Sequence, residues 1–335
     1  MLCRGWLTHS GLSHPTGDET HLMIQAQNLT KYYGDTAAIR DVSFHVNKGE
    51  VLGFLGPNGA GKTTTMRILT AYMPPSGGVA TVAGYDVFTQ SLEVRRRVGY
   101  LPESVPLYTD MTVAGYLNYV AALRKIDDRS KRVADALAKV DLISYADTLI
   151  SKLSKGMRQR VGIAQAIVHD PEVLILDEPT IGLDPKQIME VRQLIRELGG
   201  EHTIILSTHI LSEVEQICSR VLIINKGRIV AEDTPARLIA RLEGGERVRL
   251  QTIQAPPNAF EILESLTMIG RVSLVTPDTF EIECTRGSDC RPALAQFVVE
   301  QGWGLLEMRA IDASLEDIFL ELTAEQSSSV AVRSI

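Results

Sequence analysis

Short apolar runs separated by longer stretches with helical periodicity dominate the chain from Ile24 onward. Continuous apolar runs of strand length indicate strands that are buried on both faces. Their alternation with helices is typical of a mostly parallel sheet covered by helices, an α/β fold. The predicted strands lie at residues 51–55, 173–176, 203–206, 221–224 and 228–231.

A helix-rich stretch interrupts this alternation at residues 112–169, where strand signals are scarce. It predicts a helical subdomain, taken over residues 103–169, that is inserted between strands of the sheet. Ser154 is a good N-cap for a helix that runs to about His169. That helix would be about 24 Å long at 1.5 Å per residue.

A second domain is predicted after the two glycines at residues 244 and 245. The first domain then covers residues 23–243 and the second covers residues 247–323. The order in the second is strand, helix, two strands, helix, strand and a final helix, which predicts a small α+β domain with a split βαβ arrangement. Ser314 and Asp317 form a capping box at the start of the final helix. The apolar face of this helix consists of Leu315, Ile318, Phe319 and Leu322. It is expected to pack on its own domain, or alternatively to form a dimer contact.

The two ends of the chain carry no pattern of a packed core. Residues 1–22 read as a disordered extension or a misplaced start, with Met23 directly before the first strand-like segment. They lack the charged, apolar and small-residue regions of a signal peptide. Residues 324–335 read as a disordered tail.

Length, charge and cysteine usage narrow the class of protein. A chain of 335 residues fits two domains. No apolar stretch reaches the roughly 18 residues that a membrane span requires. The net charge of −7 argues against nucleic acid as a partner. The cysteines form no CxxC pair, so the sequence suggests no disulfide framework and favours a reducing cytosol; they are Cys3, Cys218, Cys284 and Cys290.

A complete phosphate-loop motif follows the first apolar strand. Its backbone N–H groups converge on phosphate oxygens, and the helix after it points its positive end at them. Lys62 is expected to bridge the β- and γ-phosphates of ATP, and the Thr63 hydroxyl to ligate Mg²⁺. The predicted binding residues are Gly56, Pro57, Asn58, Gly59, Ala60, Gly61, Lys62, Thr63 and Thr64.

Two acids end the buried strand at residues 173–176. Open α/β sheets bind ligands at the carboxyl ends of their strands. Asp177 is therefore the expected Mg²⁺ partner, and Glu178 the candidate general base for an attacking water. Such a base typically contributes about 10²–10⁴-fold to the rate.

These motifs, in this order, resemble the ATP-binding subunit of ABC transporters over residues 24–241. The resemblance implies a P-loop NTPase of ABC type: a sheet core with an inserted helical subdomain, followed here by a small C-terminal α+β domain. It also implies that Ser154 and Gly156 belong to the family signature and that His209 contacts the γ-phosphate. The loop at residues 182–184 resembles the one that couples two sites, although Asp184 before Pro185 is also a good helix N-cap.

Four positions within that resemblance are either unusual for the family or open to another interpretation. Tyr33 resembles the aromatic residue that stacks on adenine, with a structural tyrosine or Tyr32 as alternatives. Glu103 stands where the family usually has glutamine, and could reach Mg²⁺ or the attacking water. Lys155 and Met157 alter the signature in a way that resembles exporter ATPases of the gliding-motility and multidrug subgroup. The C-terminal segment 313–323 resembles the same subgroup.

The position of Ser154 predicts how the site is completed. Its helix leads back toward the strand that carries Asp177, so Ser154 lies far from its own phosphate loop. A head-to-tail pair, in which Ser154 and Gly156 of one copy close over the ATP of the other, resolves this separation. The resemblance further implies a separate membrane permease as partner, and a cytoplasmic location at the inner face of the membrane. The rival interpretations are a soluble ABC ATPase that acts on a macromolecular complex, and a regulatory module that holds ATP without turnover.

Overall fold

The computed structural model describes residues 22–242, 247–285 and 289–311. The strands are β1 (Leu22–Tyr33), β2 (Thr36–Asn47), β3 (Val51–Leu55), β4 (Gly77–Val82), β5 (Tyr85–Asp86), β6 (Val98–Leu101), β7 (Val173–Asp177), β8 (Thr203–Thr208), β9 (Arg220–Asn225), β10 (Arg228–Asp233), β11 (Arg247–Thr252), β12 (Ile269–Thr276), β13 (Thr279–Cys284) and β14 (Leu305–Ile311). The helices are α1 (Lys62–Leu69), α2 (Ser91–Arg97), α3 (Val113–Leu123), α4 (Arg129–Lys139), α5 (Lys155–Ile167), α6 (Pro185–Gly199), α7 (Leu211–Ile217), α8 (Pro235–Leu242), α9 (Ala259–Glu264) and α10 (Arg291–Glu300).

The central sheet has six strands in the order β10-β9-β3-β8-β7-β6. The strands from β9 to β6 in this order are mutually parallel, and β10 pairs antiparallel with β9. Alternate residues of β7 enter two different hydrophobic cores. Leu174 and Leu176 pack into one core, and Val173 and Ile175 pack into the other. Burial on both faces is why these strands appear as continuous apolar runs, and it confirms the predicted α/β class.

A separate antiparallel sheet, in the order β2-β1-β4-β5, shares a hydrophobic core with this central sheet. The sequence prediction of a mostly parallel sheet did not include it. A tight turn at Gly34, whose φ is +57°, joins β1 to β2 and pairs Tyr33 with Thr36. Such a short connection can join only antiparallel strands. Met23 lies within β1 and is buried, so it does not precede the first strand as the sequence suggested.

The helical insert comprises α3, α4 and α5, with two short 3₁₀ turns between α4 and α5. Each helix begins behind a side chain that accepts a hydrogen bond from a backbone N–H in its first turn. These caps are Thr112 for α3, Asp128 for α4 and Ser154 for α5. Asp184 caps α6 in the same way, with Pro185 as the first helical residue, as its sequence predicted.

The C-terminal strands form an antiparallel sheet in the order β12-β13-β11-β14, with α9 and α10 between them in sequence. This is the split βαβ order that the sequence pattern predicted for the α+β unit. Alternate residues of β11 and β13 pack into one core, among them Val248, Leu250, Phe280 and Ile282. The boundary at residues 243–246, the helix predicted to begin at Ser314 with its apolar face, and both chain ends lie outside the described residues.

A disulfide joins Cys284, the last residue of β13, to Cys290, which directly precedes α10. The expectation of no disulfide framework was therefore wrong for this pair. The two cysteines are six positions apart, a spacing that matches no familiar motif, and the fold brings their Cα atoms to 5.6 Å. Cys218 is buried with a free thiol.

Candidate active site

The loop between β3 and α1 has a backbone that only glycine accommodates at two points. Gly61 has a φ of +111°, and a Cβ atom there would lie 2.9 Å from the carbonyl oxygen of Ala38. A Cβ atom on Gly56 would lie 2.5 Å from the carbonyl oxygen of Ile224. The loop therefore fits tightly between β2 and β9, and it places the N-terminus of α1 at the carboxyl end of the sheet. Unpaired N–H groups at such a terminus bind anions.

Lys62, the first residue of α1, is almost fully buried and points back over the loop. Its ammonium donates to the carbonyl oxygen of Gly56 at 2.6 Å and lies 3.1 Å from Glu178 Oε1. The cation predicted to hold phosphate is thus paired with the acid predicted to activate water.

Asp177 ends β7 with its side chain fully buried. One of its oxygens, Oδ1, accepts from the Ser207 hydroxyl of β8 at 2.5 Å, while Oδ2 accepts no hydrogen bond from the described residues. Burial raises the pKa of Asp177, although the nearby Ser207 and Thr63 hydroxyls favour its charged form. A buried, half-satisfied carboxylate beside a threonine hydroxyl is an oxygen donor set that fits a hard cation such as Mg²⁺.

Glu178 follows Asp177 with a left-handed backbone, at a φ of +50°. Its Oε2 atom lies 2.8 Å from Nδ1 of His209, and a carboxylate only accepts, so Nδ1 carries the proton of that hydrogen bond. Glu178 is buried, whereas the His209 side chain is about two-fifths exposed. The two residues, each predicted from its own strand, therefore form one pair.

Glu103 lines a cavity of about 430 Å³ together with the phosphate loop and Glu178. The structure thus brings the unusual acid to the loop, as its sequence position suggested. The other lining residues are Ala38, Pro57, Asn58, Gly59, Gly61, Lys62, Thr63 and Thr64. Gly56 and Ala60 are absent from that lining, because they form the inner side of the loop.

Tyr33 does not line this cavity. It lies at the end of β1, about half exposed, with its hydroxyl 3.2 Å from Met73 Sδ and its ring beneath the ammonium of Lys31. Tyr32 is similarly exposed. An adenine contact by Tyr33 stays a prediction, with Tyr32 or a structural role for Tyr33 as the alternatives.

Ser154 and Gly156 line a different cavity, of about 300 Å³, beside the N-terminus of α6. Ser154 Oγ accepts from the N–H of Met157, and a Cβ atom on Gly156 would lie 2.6 Å from the side chain of Gln187. Lys155 Nζ packs against Gly182 of the same chain, 2.0 Å from where a Cβ atom there would be. The signature residues are thus apart from their own phosphate loop.

Sequence reasoning missed the polar side chains that support the acids. Ser207 holds Asp177, and a buried acid on α7, Glu213, accepts hydrogen bonds from Thr180 and Thr208. No motif marks these residues. The one available signal is that Glu213 occupies an inward position of a short helix directly after His209.

The fold and the loop define a P-loop ATPase, and comparison with known proteins identifies which kind. The family model described as "ABC transporter" matches residues 39–181. The bacitracin transport ATP-binding protein BcrA of Bacillus licheniformis is 35% identical over 303 residues, covering 90% of this chain and 97% of that protein. The Nod factor export ATP-binding protein I of Burkholderia orbicola (strain AU 1054) is 33% identical over 306 residues, again covering 90% of this chain and 97% of that protein.

A solved structure agrees with these sequence relatives. The dimeric structure of MJ0796, a bacterial ABC transporter cassette, has a TM-score of 0.58 and 25% identity, and it covers 63% of this chain and 98% of that one. The protein therefore belongs to the ABC transporter ATP-binding family, as the motifs predicted. Members of this class hydrolyse ATP, so the protein is an ATPase. No helix within the described ranges is both long and apolar enough to cross a membrane.

Proposed function

We propose that this protein powers an ABC exporter by ATP hydrolysis within a head-to-tail dimer that drives a separate membrane permease. The observation that carries the proposal is the separation of two half-sites. The phosphate loop lines one cavity, and Ser154 with Gly156 lines another that shares no residue with it. Two copies in opposite orientation complete each site with the helix N-terminus of the partner.

Within each site, different residues bind the phosphates, hold the metal ion and act on the attacking water. The loop N–H groups and Lys62 bind the phosphates, and His209 contacts the γ-phosphate. Asp177 and the Thr63 hydroxyl would hold Mg²⁺, with Glu103 as a further oxygen donor to the metal or the attacking water. Bound Mg²⁺ neutralises charge on the β- and γ-phosphates.

The Lys62–Glu178 ion pair suggests how hydrolysis is linked to binding. Both side chains are buried, and their charged atoms are 3.1 Å apart. A triphosphate that binds Lys62 competes with Glu178 for the same ammonium. Glu178 is then free to accept the proton of the attacking water, while His209 keeps it oriented through Oε2.

The proposed dimer is tested by Glu178→Gln. Loss of the base should slow hydrolysis by about 10²-fold or more. The nucleotide is then retained, so the variant should accumulate as a dimer in ATP, as measured by light scattering after size-exclusion chromatography. Glu215→Gln, on the exposed side of α7, is the control and should behave as wild type. A Glu178→Gln protein that stays monomeric at saturating ATP, with hydrolysis undiminished, would contradict the proposal.

The permease is proposed to contact a basic cavity of about 730 Å³ between β6, α2 and the end of α3. Its rim combines exposed apolar and cationic side chains: Leu92, Arg95, Arg96, Leu123, Arg124 and Lys125. This chemistry suits a short amphipathic segment that carries acidic residues. Through it the ATPase would sit at the inner, cytoplasmic face of the membrane.

Co-purification with the membrane protein of a neighbouring gene tests this contact. Arg96→Glu should reduce the amount of permease recovered, because the new carboxylate would repel the acidic residues of the permease segment. Arg129→Glu, at an exposed position of α4, should not reduce the recovery. Full recovery with Arg96→Glu would show that the permease binds elsewhere. Export as the direction is supported by the relative that is named for export.

A further inference from the structure

Glu213 is a carboxylate with no exposed surface, four residues after His209 on α7. Burying a charged side chain is costly unless donors satisfy it. Its Oε1 accepts from the hydroxyl of Thr180, and its Oε2 accepts from the hydroxyl of Thr208 at 2.8 Å. A guanidinium nitrogen of Arg192, on α6, lies 3.7 Å from Oε1. Glu213 is thus held by groups from three different segments.

The two threonines belong to the turns that carry the catalytic pair. Thr180 is two residues after Glu178, inside the turn that the N–H of Ile181 closes by donating to the carbonyl oxygen of Glu178. Thr208 directly precedes His209, and its hydroxyl also accepts from the N–H of Ile210 at 3.0 Å. One buried carboxylate therefore connects both turns.

The backbone at Glu178 explains why such a connection is needed. Its φ of +50° is a conformation that non-glycine residues rarely adopt. Conformations of this kind cost about 1–3 kcal/mol and persist only where the surroundings enforce them. The hydrogen bond from Thr180 to Glu213 lies just after the strained residue, and the one from Thr208 lies just before its histidine partner.

We propose that Glu213 is a positioning residue, which sets the distance and angle between Glu178 and His209 by anchoring both of their turns. This inference rests on the proposed role of the pair in hydrolysis. Glu213 is fully buried and does not line the cavity of the phosphate loop, so it acts through Thr180 and Thr208. A carboxylate is required because it offers an acceptor oxygen to each hydroxyl, whereas an amide offers one oxygen and one donor.

Glu213→Gln tests the proposal because it preserves shape and removes one acceptor. We expect the kcat for ATP to fall by about tenfold to a hundredfold, as small misplacements of catalytic groups do. The KM and the affinity for ATP should stay within about twofold, since the phosphate loop is untouched. Thr208→Val removes one of the two anchors and should give a smaller loss of the same kind.

Glu215→Gln is the matched control, since Glu215 lies two residues further along α7 with an exposed side chain. Its kcat should equal that of wild type. If Glu213→Gln is poorly folded, Thr208→Val, which is nearly isosteric, gives the answer alone. A full kcat for Thr208→Val and for folded Glu213→Gln would overturn the proposal, as would a lower Tm with an unchanged kcat per folded molecule.

A double-mutant cycle with His209→Ala separates positioning from structural support. If Glu213 acts through the catalytic pair, Glu213→Gln should lower kcat much less in the His209→Ala background than in wild type. Equal losses in both backgrounds would overturn the proposal. The proposed function itself would be contradicted if the wild-type protein turned over ATP no faster than Lys62→Ala. That outcome can be told apart from failure of the present inference, in which the wild-type protein is active and Glu213→Gln has the same kcat.

Discussion

Asp177, the proposed Mg²⁺ ligand, is the residue at which folding and the proposed catalysis oppose each other most directly. Its carboxylate is buried beside Glu178, and burial raises its pKa above the ordinary value of 3.8. The folded protein therefore binds the Asp177 proton more tightly than the unfolded chain does. The contribution of this group to the free energy of unfolding falls as the pH rises from 3.8 through its raised pKa, and remains reduced above it.

Asp177→Asn should accordingly raise the Tm of the nucleotide-free protein at neutral pH, because it removes a buried charge and keeps the acceptor for Ser207. The difference from wild type should shrink as the pH approaches 4, where Asp177 itself is closer to neutral. The stabilisation by Mg²⁺ and ATP should be largely lost. Thermal unfolding with and without Mg²⁺ and ATP measures both effects.

Asp135→Asn, at an exposed position of α4, is the control for removal of a negative charge. It should leave the Tm and the nucleotide effect unchanged. An Asp177→Asn protein that is less stable than wild type without nucleotide, yet fully stabilised by Mg²⁺ and ATP, would contradict this account of the residue.

At the scale of elements, the packing of α5 on β6 decides where the signature lies. A Cβ atom on Gly99 of β6 would lie 2.1 Å from the carbonyl oxygen of Ala166, in α5. A Cβ atom on Gly162 of α5 would lie 2.7 Å from Leu101. At Gly99 the helix therefore lies directly on the strand, and at Gly162 the helix leaves room for the Leu101 side chain of β6. This close packing directs the N-terminus of α5, at Ser154, away from the phosphate loop.

Gly99→Ala should destabilise the protein by about 2 kcal/mol or more, because the added methyl group meets backbone that cannot rotate away. Gly77→Ala is the matched control, since the nearest atom to a Cβ there is 3.8 Å away. Urea unfolding measures both. If Gly99→Ala folds, its displaced helix should also weaken ATP-dependent pairing. Equal stability of the two variants would disprove the close approach of α5 to β6.

At the scale of the whole molecule, His169 joins the helical insert to the central sheet. It follows α5, and its Nε2 atom lies 3.1 Å from the carbonyl oxygen of Val98 on β6. Burial, reinforced by the nearby charge of Arg124, lowers its pKa to about 4. The unfolded chain protonates this histidine near pH 6.5, so acid favours unfolding throughout the interval between the two values.

The free energy of unfolding should therefore fall as the pH is lowered from about 6.5 to about 4, by at most about 3 kcal/mol from this group, at about 1.4 kcal/mol per unit. His169→Gln keeps a donor for the Val98 carbonyl and should flatten that part of the curve. His45→Gln, at an exposed position of β2, should leave it unchanged. Urea titrations at several pH values make the measurement. If the free energy of unfolding of His169→Gln falls with pH as steeply as that of wild type, other groups cause the acid sensitivity.

The sequence by itself determined the features that depend on neighbouring residues. The phosphate loop, the apolar strand before Asp177 and Glu178, and the N-caps Ser154 and Asp184 all follow from local sequence, because glycine freedom, burial on both faces and capping act over a few residues. The helix of Ser154 was enough to predict a second half-site away from the loop.

Only the tertiary structure decided which distant side chains meet. It paired Lys62 and His209 with Glu178, and it brought Glu213 to Thr180. It also added the antiparallel sheet of β1, β2, β4 and β5. The physical reason is that these contacts form between segments whose separation along the chain carries no information about their distance in space. Packing of complete elements selects such contacts, and no local pattern encodes them.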